Sequence, residues 1–136
     1  MNWTPNKTPF HYSLGLQGEE IAHRYLLGQG YEILTRNFRC PIGEIDLVAK
    51  RGERYFFIEI KARSSSRFGS PQEAVTRQKQ AKLIRLAQWY LKQHRLADAA
   101  FSFDVIAVMF SSEGEPKISH IQNAFEAKAV YEGANG

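Results

Sequence analysis

Cysteine is nearly absent: Cys40 is the only one in 136 residues. One thiol can form no intramolecular disulfide and can build no Cys-rich zinc site, so Cys40, next to Pro41, reads as a small structural residue. Long apolar runs are missing too. None approaches the ~18 residues of a membrane helix. The first ten residues carry Pro5 and Pro9 and lack the apolar stretch of a secretory signal. Together these absences predict a protein of the reducing cytoplasm with no membrane partner. His11, His23, His94 and His120 show no zinc-ligand spacing. Gly28 and Gly30 precede a strand candidate instead of following one, which excludes a dinucleotide fingerprint.

What remains is globular: 43% hydrophobic, 12% aromatic and 24% charged residues, with a formal charge of +4. The length allows one domain. A loose leader over 1–12, a single domain over 13–131 and a frayed tail over 132–136 are expected. Apolar periodicity predicts a helix from about Ser13 to Leu27, stopped by the two glycines. Strands follow at Tyr31–Thr35, Ile42–Ala49 and Tyr55–Ala62, with Arg36–Pro41 as a basic connector and the turn near Gly52 making a hairpin. Ser70, Pro71 and Glu73 look like the start of a long helix to about His94. Phe101–Phe110 is a strongly apolar strand, and Lys117–Ile121 a last short one. A helix joining two strands implies a parallel crossover. The expected fold is therefore α/β, a mixed central sheet flanked by helices in the order αβββαβ.

Two strands carry charges that periodicity does not explain. In Gly43-Glu44-Ile45-Asp46-Leu47 the alternation puts Glu44 and Asp46 on one face; in Ile58-Glu59-Ile60-Lys61 it does the same for Glu59 and Lys61. A hairpin centred near Gly52 sets Asp46 about opposite Glu59, and opposed Cβ atoms lie roughly 5 Å apart. Two close carboxylates need a proton, a base or a cation between them. One reading is a Mg²⁺ site, a hard ion on carboxylates, with Lys61 beside it to orient water or stabilise phosphorane charge. The other is a surface salt-bridge cluster in a protein-interaction domain.

The surroundings carry a resemblance. Gly15-x-x-Gly18-Glu19-x-x-Ala22, Gly30-Tyr31, Arg36-Asn37, Gly43-Glu44-Ile45-Asp46, Glu59-Ile60-Lys61-x-Arg63, Phe68-Gly69 and Phe103-Asp104-Val105 occur in this order. From about residue 15 to 110 they resemble the bacterial YraN family of endonuclease-like proteins, itself similar to archaeal Holliday-junction resolvases. Asp46 with Glu59-Ile60-Lys61 looks like the D…(D/E)-x-K signature of the restriction-endonuclease-like nucleases, except that Ile45 stands where the fuller motif has proline. The resemblance implies a restriction-endonuclease-like core. It implies Mg²⁺, with Mn²⁺ as a substitute, on Asp46 and Glu59, the Ile60 carbonyl a further ligand. Lys61 becomes the catalytic lysine, and Glu19 helps to complete the metal site. Without the resemblance, Glu19 is a first-turn helix carboxylate favoured by the macrodipole. Glu44 is left to a supporting role, and Asp104 either supports the site or pairs with an arginine. His23, four residues after Glu19, is expected to pair with it at the surface.

Positive charge is concentrated. Lys61, Arg63, Arg67, Arg77, Lys79, Lys82, Arg85, Lys92 and Arg95 are half of the chain's basic residues, and Glu73 is the only acid among them. The segment carries +8 and the rest of the chain −4. Such a track suits a DNA backbone, with Arg63, Arg67, Arg77, Lys79 and Lys82 as contacts, although a solvated helix face would read similarly. The expected activity is a metal-dependent endonuclease on DNA, branched DNA included. The alternative is a non-catalytic DNA-binding module of the same fold. Symmetric cutting of two strands would call for a homodimer.

Overall fold

A computed structural model of the chain describes residues 9–64 and 76–125. The elements are α1 (Pro9–Gly28), β1 (Glu32–Cys40), β2 (Gly43–Arg51), β3 (Arg54–Arg63), α2 (Arg77–Gln93), β4 (Ala100–Met109) and β5 (Lys117–Ile121). They form one five-stranded sheet in sequence order. The β1–β2, β2–β3 and β4–β5 pairs are antiparallel, and α2 carries the chain across to make β3 and β4 parallel. This is a mixed α/β architecture, αβββαβ followed by the short strand β5, with a helix on each face.

Each helix closes its own core. On one face Ala22 and Leu26 of α1 meet Leu47, Ala49, Phe56, Ile58, Ile106 and Val108. On the other, Leu83, Ile84, Leu86, Ala87, Tyr90 and Leu91 of α2 meet Ile45, Val48, Phe57, Phe103 and Val105. The double burial explains the continuous apolar runs Tyr55–Ile58 in β3 and Val105–Met109 in β4. Gly18 lets α1 approach β3 closely: a Cβ built there would lie 2.7 Å from that of Ala62.

Three expectations are corrected. α1 begins at Pro9, inside the expected leader. Arg36–Cys40 is not a connector but the second half of β1. An edge strand shows one side to water, so its polar residues hid it; Asn37, at φ 55°, also breaks its alternation. α2 begins at Arg77, not after Ser70. Thr76 is extended, at φ −68° and ψ 165°, and its side chain accepts from Lys79 N–H, which makes it the N-cap. Ser70, Pro71, Glu73, Arg67 and the 132–136 tail lie outside the described residues.

Candidate functional site

The β2–β3 ladder runs from Arg51↔Arg54 to Leu47↔Ile58 and ends there. One step further Asp46 would face Glu59, as the hairpin centre predicts. At that point the Asp46 carboxylate accepts the Ile60 N–H at 2.8 Å, as a strand carbonyl would. Alternation slips here as well: Ile45 packs on the α2 side and Leu47 on the α1 side, yet Val48 returns to the α2 side. Asp46 therefore sits at a local break in the pleat.

That break makes Asp46 a border between two cavities. One of about 540 Å³ lies between α2 and the sheet, lined by Glu44, Asp46 and Glu59 on the strands, Lys79 and Lys82 on the helix, and Ile45, Leu83 and Leu86. The other, about 330 Å³, lies on the α1 side and is lined by Glu19, Asp46, Ile60 and Arg63. The expected ligands are thus brought to Asp46 from opposite sides, Glu59 through the first cavity and Glu19 through the second. Among the described residues, no three Asp, Glu, His or Cys side chains are gathered closely enough to hold an ion as they stand.

Glu59 is the most constrained member. Its side chain is 16% exposed. Oε1 accepts from Lys79 Nζ at 2.6 Å and pairs with Lys61 Nζ at 3.2 Å. Oε2 is buried and has no hydrogen-bond partner among the described residues. Burial raises the Asp46 pKa above the usual carboxylate value; the Ile60 N–H works against this, and the negative charge of Glu59 adds to it. A buried, unpartnered carboxylate oxygen beside a second carboxylate that resists ionisation is a donor set suited to a hard divalent cation. By this test Asp46 and Glu59 fit Mg²⁺, and Lys61 stands at the other oxygen of Glu59, Oε1.

The basic residues divide. Lys79 is drawn into the carboxylates, and Lys82 lines the same cavity above Gly43, where an added Cβ would meet its Cε at 2.9 Å. Arg77 is exposed on the first turn of α2, and Arg85 is exposed outside the cavity. Arg63 borders the α1-side cavity. Glu44 pairs with Arg39 at 3.1 Å on the surface. Sequence reasoning missed the engagement of Lys79. With Thr76 taken as the cap, positions 79, 82, 83 and 86 fall on the cavity side of α2, which is the signal that would have found it.

Asp104 pairs with a histidine and not with an arginine, and it lines a small pocket together with Glu59, Ile45 and Leu83. Its buried carboxylate holds His120 Nε2 at 2.7 Å and accepts the Asn123 N–H at 3.0 Å, and His120 Nδ1 reaches the Tyr25 hydroxyl at 2.9 Å. His23 Nδ1 is buried without a hydrogen-bond partner among the described residues.

The model of the uncharacterised protein family UPF0102 matches residues 18–108, which include Glu19, Asp46, Glu59, Lys61 and Lys79. A UPF0102 protein of Geobacter metallireducens is 48% identical over 84% of this chain and 93% of its own length. Another, from Syntrophomonas wolfei, is 47% identical over 82% of this chain and 96% of its own. Among solved structures, SfsA of Pyrococcus furiosus in complex with Ca²⁺ aligns with a TM-score of 0.40 at 15% identity, over 82% of this chain and 63% of that one. No helix among the described residues is long and apolar enough to cross a membrane.

Proposed function

The chain belongs to the uncharacterised protein family UPF0102, and from the geometry of its site we propose that it is a metal-dependent endonuclease hydrolysing DNA phosphodiester bonds, branched and junction DNA included, in the cytoplasm. The observation that carries this reading is the buried, unpartnered Glu59 Oε2 beside Asp46, where the β2–β3 ladder ends. Asp46 and Glu59 would hold Mg²⁺, or Mn²⁺ in its place, with the Ile60 carbonyl and Glu19 as the further oxygen donors on the α1 side. Such an ion, when bound, polarises a phosphate and lowers the pKa of its water. Lys61, on the same strand as Glu59 and 3.2 Å from its Oε1, would orient the attacking water and offset charge on the phosphate oxygens. Lys82 and Arg77 on α2, with Arg63 and Arg67, hold the backbone. A homodimer would bring two such sites to two strands.

The test is cleavage of labelled linear, single-stranded and four-way-junction DNA with Mg²⁺ or Mn²⁺. Lys61→Ala should cut about 10²–10³-fold more slowly, the usual cost of removing one electrostatic stabiliser. Equal cleavage by the two proteins would mean a contaminating nuclease and would end the assignment.

A second reading is favoured by one observation: Lys79 already occupies Glu59 Oε1, where no three ligands are gathered among the described residues. A DNA-binding module without turnover would have this form. It predicts salt-dependent DNA binding, no specific Mn²⁺ binding by titration calorimetry, and unchanged DNA affinity in Asp46→Asn.

A further inference from the structure

We infer that Lys79 is a positioning residue of the candidate metal site, an internal cation that divalent metal displaces from Glu59 and that then binds substrate phosphate. The inference rests on the metal-site reading above and assigns a further role within it.

Two ammonium groups share Glu59 Oε1. Lys61 is anchored on the same strand as Glu59 and cannot move far from it. Lys79 comes from a separate element, lies closer, at 2.6 Å against 3.2 Å, and is the more exposed of the two at 34% against 20%. With both lysines in place, Glu59 and Asp46 are balanced by two positive charges, and a divalent ion would bring a surplus. The lysine on the longer tether to another element is the one free to leave.

Its starting position is itself unfavourable. Lys79 lies in the first turn of α2, three residues after the Thr76 cap, and that turn holds no acidic residue. The positive end of the helix dipole disfavours an ammonium there. Glu59 offsets this while it holds Lys79. Once Glu59 turns to a metal, the same end of the helix, with Lys79, Arg77 and Lys82 beside it, favours an anion. A phosphodiester is the anion the proposed reaction supplies. Metal entry and phosphate capture are then linked, and each must strengthen the other by the same factor.

The experiment titrates Mn²⁺ into wild type, Lys79→Met, Lys79→Arg and Asp46→Asn by calorimetry, without DNA. Lys79→Met should bind Mn²⁺ at least about five-fold more tightly than wild type, the lower range of measured couplings. Lys79→Arg, which keeps the competing charge, should stay near wild type, and Asp46→Asn should lose binding. In a second arm a labelled duplex is bound with and without Ca²⁺. Ca²⁺ should tighten wild type by more than it tightens Lys79→Met. Equal or weaker Mn²⁺ affinity in Lys79→Met overturns the role of Lys79 and leaves the metal site standing. Absence of Mn²⁺ binding in both wild type and Lys79→Met overturns the metal site and this inference together.

Discussion

At the scale of single residues, the candidate site is held in tension. Asp46 has a raised pKa chiefly because it is buried, and the charge of Glu59 adds to the effect. The folded chain therefore holds the Asp46 proton more tightly than the unfolded chain does. Its contribution to stability is present below the ordinary carboxylate range and is lost as pH rises through the raised value. At neutral pH, without divalent ions, Asp46→Asn should melt about 2–5 °C higher than wild type, since the amide oxygen still accepts the Ile60 N–H and no charge is buried. Melts from pH 8 down to pH 3 should converge at the acid end. Adding Mn²⁺ should reverse the order, because only wild type gains from binding. Asp46, Glu59 and Lys61 were legible in the sequence, since charges alternating inside apolar strands are costly without a task. The position of Lys79 was not, because it depends on how α2 lies across the sheet. The side from which Glu19 approaches depends likewise on a one-residue slip at Asp46.

At the scale of elements, β3 and β4 were readable almost to the residue, because each holds a run of apolar residues buried on both faces, Tyr55–Ile58 and Val105–Val108. β1 was cut short because its exposed side looks like a loop. The start of α2 was displaced because Ser70 and Pro71 offer a good cap in sequence, whereas Thr76 supplies the one observed. The Tyr25–His120–Asp104 chain was invisible for another reason: its members come from α1, β5 and β4, which sequence cannot align. That chain ties α1 to the far edge of the sheet through a carboxylate that is fully buried. Asp104→Ala would leave His120 Nε2 and the Asn123 N–H without an acceptor, at a cost of about 3 kcal/mol by urea unfolding. Asp104→Asn keeps one acceptor oxygen and should lose less. Neither change removes a proposed metal ligand, so Mn²⁺ affinity should be retained wherever the protein remains folded. Metal binding that fails together with stability would instead make this chain part of the site.

At the scale of the whole molecule, the charge is separated more sharply than its sum of +4 suggests. The segment from Lys61 to Arg95 holds +8, but the structure spends part of it internally: Lys61 and Lys79 lie against Glu59. Only the remainder can neutralise phosphates at the outset. The salt dependence of DNA binding can therefore count the cations engaged. Each neutralised phosphate on a duplex contributes about −0.9 to the slope of log K against log salt. Lys82→Ala and Arg77→Ala should each flatten that slope by about one, whatever the DNA sequence. Lys79→Met should flatten it only when a divalent ion is present, because without the ion its charge is already committed to Glu59. Fluorescence anisotropy of a labelled duplex from about 50 to 200 mM salt, with and without Ca²⁺, resolves the three variants. A slope unaffected by Lys82→Ala and Arg77→Ala would move the DNA track off α2. The acidic notch at the end of the β2–β3 ladder would then need its substrate from the α1 side, where Arg63 stands beside Asp46 and Glu19.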